Sequence, residues 1–181
     1  GDSAPSFGDV DGDGDLDFLA GSRSYGRSFD FFRNTGTITL PATRSITFTG
    51  GTGAQQIGTN AAAVTMTIEG NITESAPSGL TKTDAGVLVL AGTNTWTGTT
   101  TVSGGALVLA KPASLPGYDS NGPFFTQTYS VANGTTLAVR YGDTSPWTKE
   151  AIEALASGAT FNTSGSLGFD TTGSTTDSVY D

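Results

Sequence analysis

The chain has 181 residues, enough for one domain with a sizeable core or one domain plus a small appendage. Its 26 glycines and only 14% charged residues describe a β-rich chain full of turns and exclude a helical bundle. A net charge of −9 excludes the electrostatic footprint of a nucleic-acid binder or of a protein that docks on anionic membranes, and the absence of Cys and His excludes Cys/His zinc sites, disulfides and histidine-based triads.

The first element is an acidic loop. Residues 9–17 read Asp-Val-Asp-Gly-Asp-Gly-Asp-Leu-Asp. Five carboxylates at alternating positions repel one another unless a cation gathers them. The spacing matches a calcium loop, with oxygen ligands at loop positions 1, 3, 5, 7 and 9 and glycine at position 6. Asp9, Asp11, Asp13 and Asp17 then supply side-chain oxygens, Asp15 supplies its backbone carbonyl, and Gly14 makes the turn. Position 12, where a helix–loop–helix site carries a bidentate glutamate, is Ala20. The missing ligand points to weak Ca2+ binding, on the order of 10⁻⁴–10⁻³ M, as in extracellular modules. Phe18-Leu19-Ala20-Gly21 and Ser28–Arg33 read as two strands of a hairpin, so residues 1–36 form one expected unit, closed by Asn34-Thr35-Gly36. On these residues the segment resembles a single FG-GAP/VCBS-type repeat, a calcium-binding blade of a β-propeller. The resemblance implies that the same five aspartates bind the ion. A propeller needs several blades, so one copy must pack on the rest of the chain or on a neighbour.

Residues 37–181 form the second expected unit. Ser45–Phe48, Ala63–Ile68, Gly86–Leu90 and Gly105–Leu109 are short alternating runs bounded by Gly, Asn, Thr or Pro, the pattern of short strands separated by turns. Val87–Ala91 and Ala106–Ala110 are near copies 19 residues apart. That offset suits one coil of a β-solenoid, in which every turn stacks on the last. Asn60 and Asn71 sit at expected corners, where asparagine stacks or caps turns.

The stretch Gly79-Leu80-Thr81-Lys82-Thr83-Asp84-Ala85-Gly86, followed by Gly92-Thr93-Asn94-Thr95-Trp96-Thr97-Gly98-Thr99-Thr100-Thr101-Val102 and Gly105-Ala106-Leu107, resembles the autotransporter-associated β-strand repeat. Asp84 stands where that pattern has glycine, and Trp96 replaces tyrosine. The resemblance implies parallel β-helix coils in secreted or surface-displayed proteins, where they build stalks and passengers rather than active sites.

One helix is expected at 146–157, capped by Ser145, with Pro146 in its first turn and Gly158 ending it. Trp147, Ala151, Ile152 and Leu155 share a face that packs on the β core. The tail returns to strand chemistry at Thr160–Asn162 and Ser166–Asp170. The fold class is therefore all-β, a parallel β-helix-like solenoid with an N-terminal calcium-loop hairpin and one short helix; a β-sandwich is the alternative.

No catalytic constellation is visible, since the remaining carboxylates sit beside turns or on the helix, and the expectation is that the chain is not an enzyme. Three sequons, at Asn71, Asn133 and Asn162, are candidates for glycosylation. No apolar run approaches the roughly 18 residues that span a bilayer, so no membrane insertion is expected. The leading expectation is a secreted calcium-binding structural protein that self-associates head to tail into a filament by β-strand addition. The alternatives are an adhesin or carbohydrate-binding module, with exposed Trp96 and Tyr118 as contacts, and a spacer fragment of an autotransporter-like passenger.

Overall fold

The structure, a computed structural model, describes residues 6–8, 17–21, 28–32, 37–49, 53–59, 62, 64–121, 124–142, 146–172 and 174, with backbone alone for 6–8, 17–21, 28–32 and 124. It is a β-solenoid. An antiparallel N-terminal meander, β1 (Ser6–Gly8), β2 (Asp17–Gly21) and β3 (Ser28–Phe32), feeds into coils that place one strand in each of two long sheets. Sheet A continues from β3 through β6 (Gln55–Gly58), β9 (Leu80–Thr83), β11 (Thr100–Val102), β15 (Tyr129–Val131) and β17 (Ala159–Phe161). Sheet B stacks β4 (Thr37–Leu40), β7 (Thr65–Ile68), β10 (Val87–Leu90), β12 (Ala106–Leu109), β16 (Thr136–Arg140) and β18 (Ser166–Asp170). All pairings from β3 onward in sheet A and throughout sheet B are parallel, which excludes the β-sandwich alternative.

The near copies set the register. Val87 pairs with Ala106, Leu88 with Leu107, Val89 with Val108 and Leu90 with Leu109. Because side chains alternate faces with period two, Leu88, Leu90, Leu107 and Leu109 all point inward and are fully buried. Each such side chain contributes about 1.5–3 kcal/mol by leaving water. Stacking like on like makes the core a set of rows, completed by Met66, Ile68, Leu80, Val102, Val131, Leu137 and Val139.

The third side of the solenoid changes along its length. Early coils place β5 (Ile46–Phe48) parallel to β8 (Ile72–Glu74) there. A later coil inserts a 3-10 turn, Pro112–Ser114, and a hairpin of β13 (Tyr118–Asp119) and β14 (Phe124–Phe125). The next coil carries helix α1 (Lys149–Gly158), which packs over β14 and β17.

The helix begins three residues later than expected. Thr148, not Ser145, is the N-cap: its hydroxyl accepts from the Ala151 N–H at 3.3 Å, and Pro146 lies before the helix. Ser145 itself lies outside the described residues. Trp147 anchors the approach, 4% exposed, with its indole N–H donating to the Leu109 carbonyl at 3.2 Å. Gly158 is the last residue of the helix rather than the residue that ends it; Ala159, extended at φ −86°, is the C-cap, and its N–H on the Leu155 carbonyl leads straight into β17. The expected 18–21 and 28–33 strands are present as β2 and β3, and β3 pairs in parallel with β6, so the hairpin extends sheet A.

Candidate functional site

The chemistry-bearing side chains of the described residues gather at the corners where coils meet. Asn94 is 4% exposed and joins three successive coils: its Oδ1 accepts from the Ile72 N–H at 2.7 Å, and its Nδ2 donates to the Ser114 carbonyl at 2.7 Å. Asn71, exposed one coil earlier, accepts from the Thr93 N–H at 2.8 Å. Turn asparagines thus close peptide groups that the strand ladders leave open. Close backbone approach explains the neighbouring glycines: a Cβ on Gly92 would lie 2.2 Å from the Gly70 carbonyl oxygen.

Lys82 is the buried cation, 0% exposed, on the inward face of β9. Its ammonium donates to the carbonyls of Thr83, Asp84 (2.8 Å) and Gly104 (3.2 Å), tying one corner to the next coil. Burial pushes its pKa down to about 8, opposed by the Asp84 carboxylate. Asp84 adopts φ +61°, the left-handed conformation in which glycine is cheapest, and this accounts for glycine at the equivalent place in the repeat pattern. The inward alternation of Leu80 and Lys82 was the available sequence signal for this residue.

Glu74 holds another corner. Its two oxygens accept from the Ser78 N–H and the Thr97 hydroxyl, both at 2.7 Å. Burial works to raise its pKa, but those hydrogen bonds outweigh it and hold the carboxyl below its usual range. Near the C-terminal end, Arg140 Nε donates to Asp170 at 2.9 Å across β16 and β18.

Trp96 is not exposed. It is 0% accessible, packs its ring 6.1 Å from that of Phe48 and donates its indole N–H to Thr100 Oγ1 at 3.0 Å. An aromatic flanked by threonines looks like a surface residue, yet here the coil turns it into the core. Tyr118 is half-buried, its ring 5.5 Å from Phe125, which in turn stacks on Trp147 and meets Tyr129 edge-on. The two expected ligand contacts, Trp96 and Tyr118, therefore form no exposed aromatic pair.

Asp9, Asp11, Asp13 and Asp15 of the acidic loop lie outside the described residues, and Asp17 opens β2 with its backbone alone described. Among the described residues no group of three or more His, Cys, Asp or Glu side chains could hold a metal ion. The sequon asparagines Asn71, Asn133 and Asn162 are all exposed. Asn133 accepts from the Ser164 N–H at 3.3 Å, whereas Asn162 sits in a turn closed by the Gly165 N–H on its carbonyl at 2.8 Å. Among the described residues no helix is long and apolar enough to cross a membrane.

These corners fasten coil to coil. Among curated proteins and among solved structures, none matches the chain. The family model of the passenger-associated transport repeat matches residues 80–109, the span from β9 through β12 that contains Lys82, Asn94 and Trp96.

Proposed function

We propose that this chain is a length of extracellular β-solenoid shaft, of the kind a secreted passenger carries, which spaces and displays rather than catalyses. The observation that carries the reading is the direction of the polar side chains in the matched repeat. Lys82 and Asn94 spend their hydrogen bonds on neighbouring coils, and Trp96 is spent on the core. Together with the repeat match, this supports an extracellular or cell-surface location.

The acidic loop is part of the proposal: Asp9, Asp11, Asp13, Asp15 and Asp17 bind Ca2+ weakly and brace the connection between β1 and β2. Filament growth by a donated hairpin is less well supported than the shaft reading, because β3 is already paired with the chain's own β6. The adhesin reading loses one of its two aromatic contacts with the burial of Trp96, and Tyr118 is half-buried.

Export tests the reading. Placed between a secretion leader with an epitope tag and an outer-membrane translocator, the chain should carry the tag to the cell surface. A folded chain that leaves the tag in the periplasm would contradict the proposal.

A further inference from the structure

We propose that Asn133 is a site of spontaneous covalent modification, at which the side-chain amide is lost to attack by the backbone nitrogen of Gly134, and that the following coil gates the reaction through Ser164. The inference does not depend on where the chain is exported.

The corner between β15 and β16 brings the reacting groups together. Asn133 and Gly134 are both exposed, in a turn closed by the Thr135 N–H on the Ala132 carbonyl at 3.3 Å. Gly134 has φ +72°, and a Cβ built on it would meet nothing within 4 Å. No side chain shields its nitrogen, and there is open space for a ring. The inner side of the turn is anchored by Thr135, 4% exposed, whose hydroxyl lies 2.9 Å from the Ala132 carbonyl and 3.1 Å from that of Val102.

The reaction balances with water as its one co-reactant. The Gly134 nitrogen attacks Asn133 Cγ. The N–Cγ bond forms, the Cγ–Nδ2 bond breaks, and the amide leaves as ammonia with the proton that the Gly134 nitrogen gives up. Water then opens the cyclic imide at one of its two carbonyls. One product is aspartate, which keeps an oxygen for the Ser164 N–H. The other is isoaspartate, which runs the main chain through the former side chain and adds a backbone atom between two strands that are both held in register.

Asn71, Asn94 and Asn162 lack this combination. Asn71 precedes Ile72, which is 0% exposed and has its N–H held by Asn94 Oδ1 at 2.7 Å. Asn94 is itself 4% exposed and bonded at both ends of its amide. Asn162 precedes Thr163, whose branched Cβ crowds the attacking nitrogen.

Ser164, in the corresponding turn of the next coil, is the gate. Its N–H donates to Asn133 Oδ1 at 3.3 Å, while its carbonyl and hydroxyl oxygens accept from the Gly134 N–H at 3.1 Å and 3.0 Å. One residue thus holds both the electrophile and the nucleophile. Closing the ring turns the peptide between Asn133 and Gly134 and breaks these bonds, so the reaction waits for the corner to lift off the next coil. About two net hydrogen bonds slow it by about ten- to a hundredfold relative to the unfolded chain.

Peptide mapping of the purified chain tests this, with protein made in a host without N-glycosylation and held at neutral pH with and without urea. The readouts are conversion of the Asn133 amide to acid and the isoaspartate formed there. Folded wild type should convert at Asn133 about ten- to a hundredfold more slowly than in urea. Ser164→Ala, which removes one acceptor and keeps the backbone bonds, should convert about two- to tenfold faster than wild type when folded and at the same rate in urea. Ser157→Ala, which removes a hydroxyl bonded to the Ala154 carbonyl on the helix, should leave the rate unchanged. Three results would each overturn the proposal: an Asn133 that converts as fast folded as unfolded, one still intact in the folded chain after several hundred unfolded half-lives, or a folded Ser164→Ala no faster than wild type.

Discussion

Asn94→Ala is the sharpest perturbation of the coil stacking. It leaves two buried peptide groups unpaired at once, the Ile72 N–H and the Ser114 carbonyl, each now 2.7 Å from an Asn94 side-chain atom. A buried polar group without a partner costs about 1–3 kcal/mol, so the substitution should cost about 2–6 kcal/mol. Asn71→Ala removes a similar corner bond, to the Thr93 N–H, from an exposed site where water replaces it, and should cost about 1 kcal/mol or less. Asn94→Asp keeps the acceptor for Ile72 but sets a carboxylate against the Ser114 carbonyl, and should be no better than alanine. Equilibrium urea denaturation followed by far-UV dichroism compares the three at constant slope. In a chain of this size each 1 kcal/mol also moves Tm by about 2–4 °C. If Asn94→Ala cost no more than Asn71→Ala, the asparagine would not be joining coils and the corner argument would fail.

Three other outcomes follow from the same geometry. Gly92→Ala drives a Cβ into the Gly70 carbonyl and should cost about 1–3 kcal/mol or more, whereas Gly134→Ala meets only open space and should cost about 1 kcal/mol for its φ of +72°; equal losses in thermal melts would refute the close approach. Lys82 binds its proton less tightly folded, near pH 8, than unfolded, near 10.5, so the unfolded state holds more protons between those values and stability should rise with pH across that window. The rise should be on the order of 1–3 kcal/mol and should vanish in Lys82→Met; a wild-type curve that falls over the same range would contradict the burial of the ammonium. Millimolar Ca2+ should raise Tm and chelation should reverse it, with Asp13→Asn abolishing the response; calorimetric titration without heat would remove the metal from the proposal.

The architecture was legible where the sequence repeats itself. Val87–Leu90 and Ala106–Leu109 announce both strand and register, because one coil must stack its leucines on the next. The corners were less legible. Asn71 stands out beside Gly70, but Asn94 follows Gly92 by two residues instead of one, so its bridge between three coils is hidden by a one-residue shift. Trp96 looks exposed in the sequence because its neighbours are threonines, and only the third side of the coil, closed by Phe48, makes that position interior. Ser145 and Pro146 carry a credible helix start, yet burying Trp147 draws the chain inward first and leaves the cap to Thr148. Lys82 carries no motif that marks a buried cation; only its place two residues after Leu80 in a four-residue strand fixes its side of the sheet.

Register is the claim on which all the rest stands, and the absence of native cysteine allows it to be trapped directly. Thr136 and Ser166 lie opposite each other on β16 and β18, their hydroxyls 3.0 Å apart. Cysteines at both positions should oxidise within one chain to a disulfide, while a Thr95→Cys and Ser166→Cys pair, on distant coils, should not. Quantitative trapping of the first pair alone is the result expected of stacked parallel coils. Failure of the first pair to close, or equal closure of the second, would contradict the solenoid and the function proposed for it.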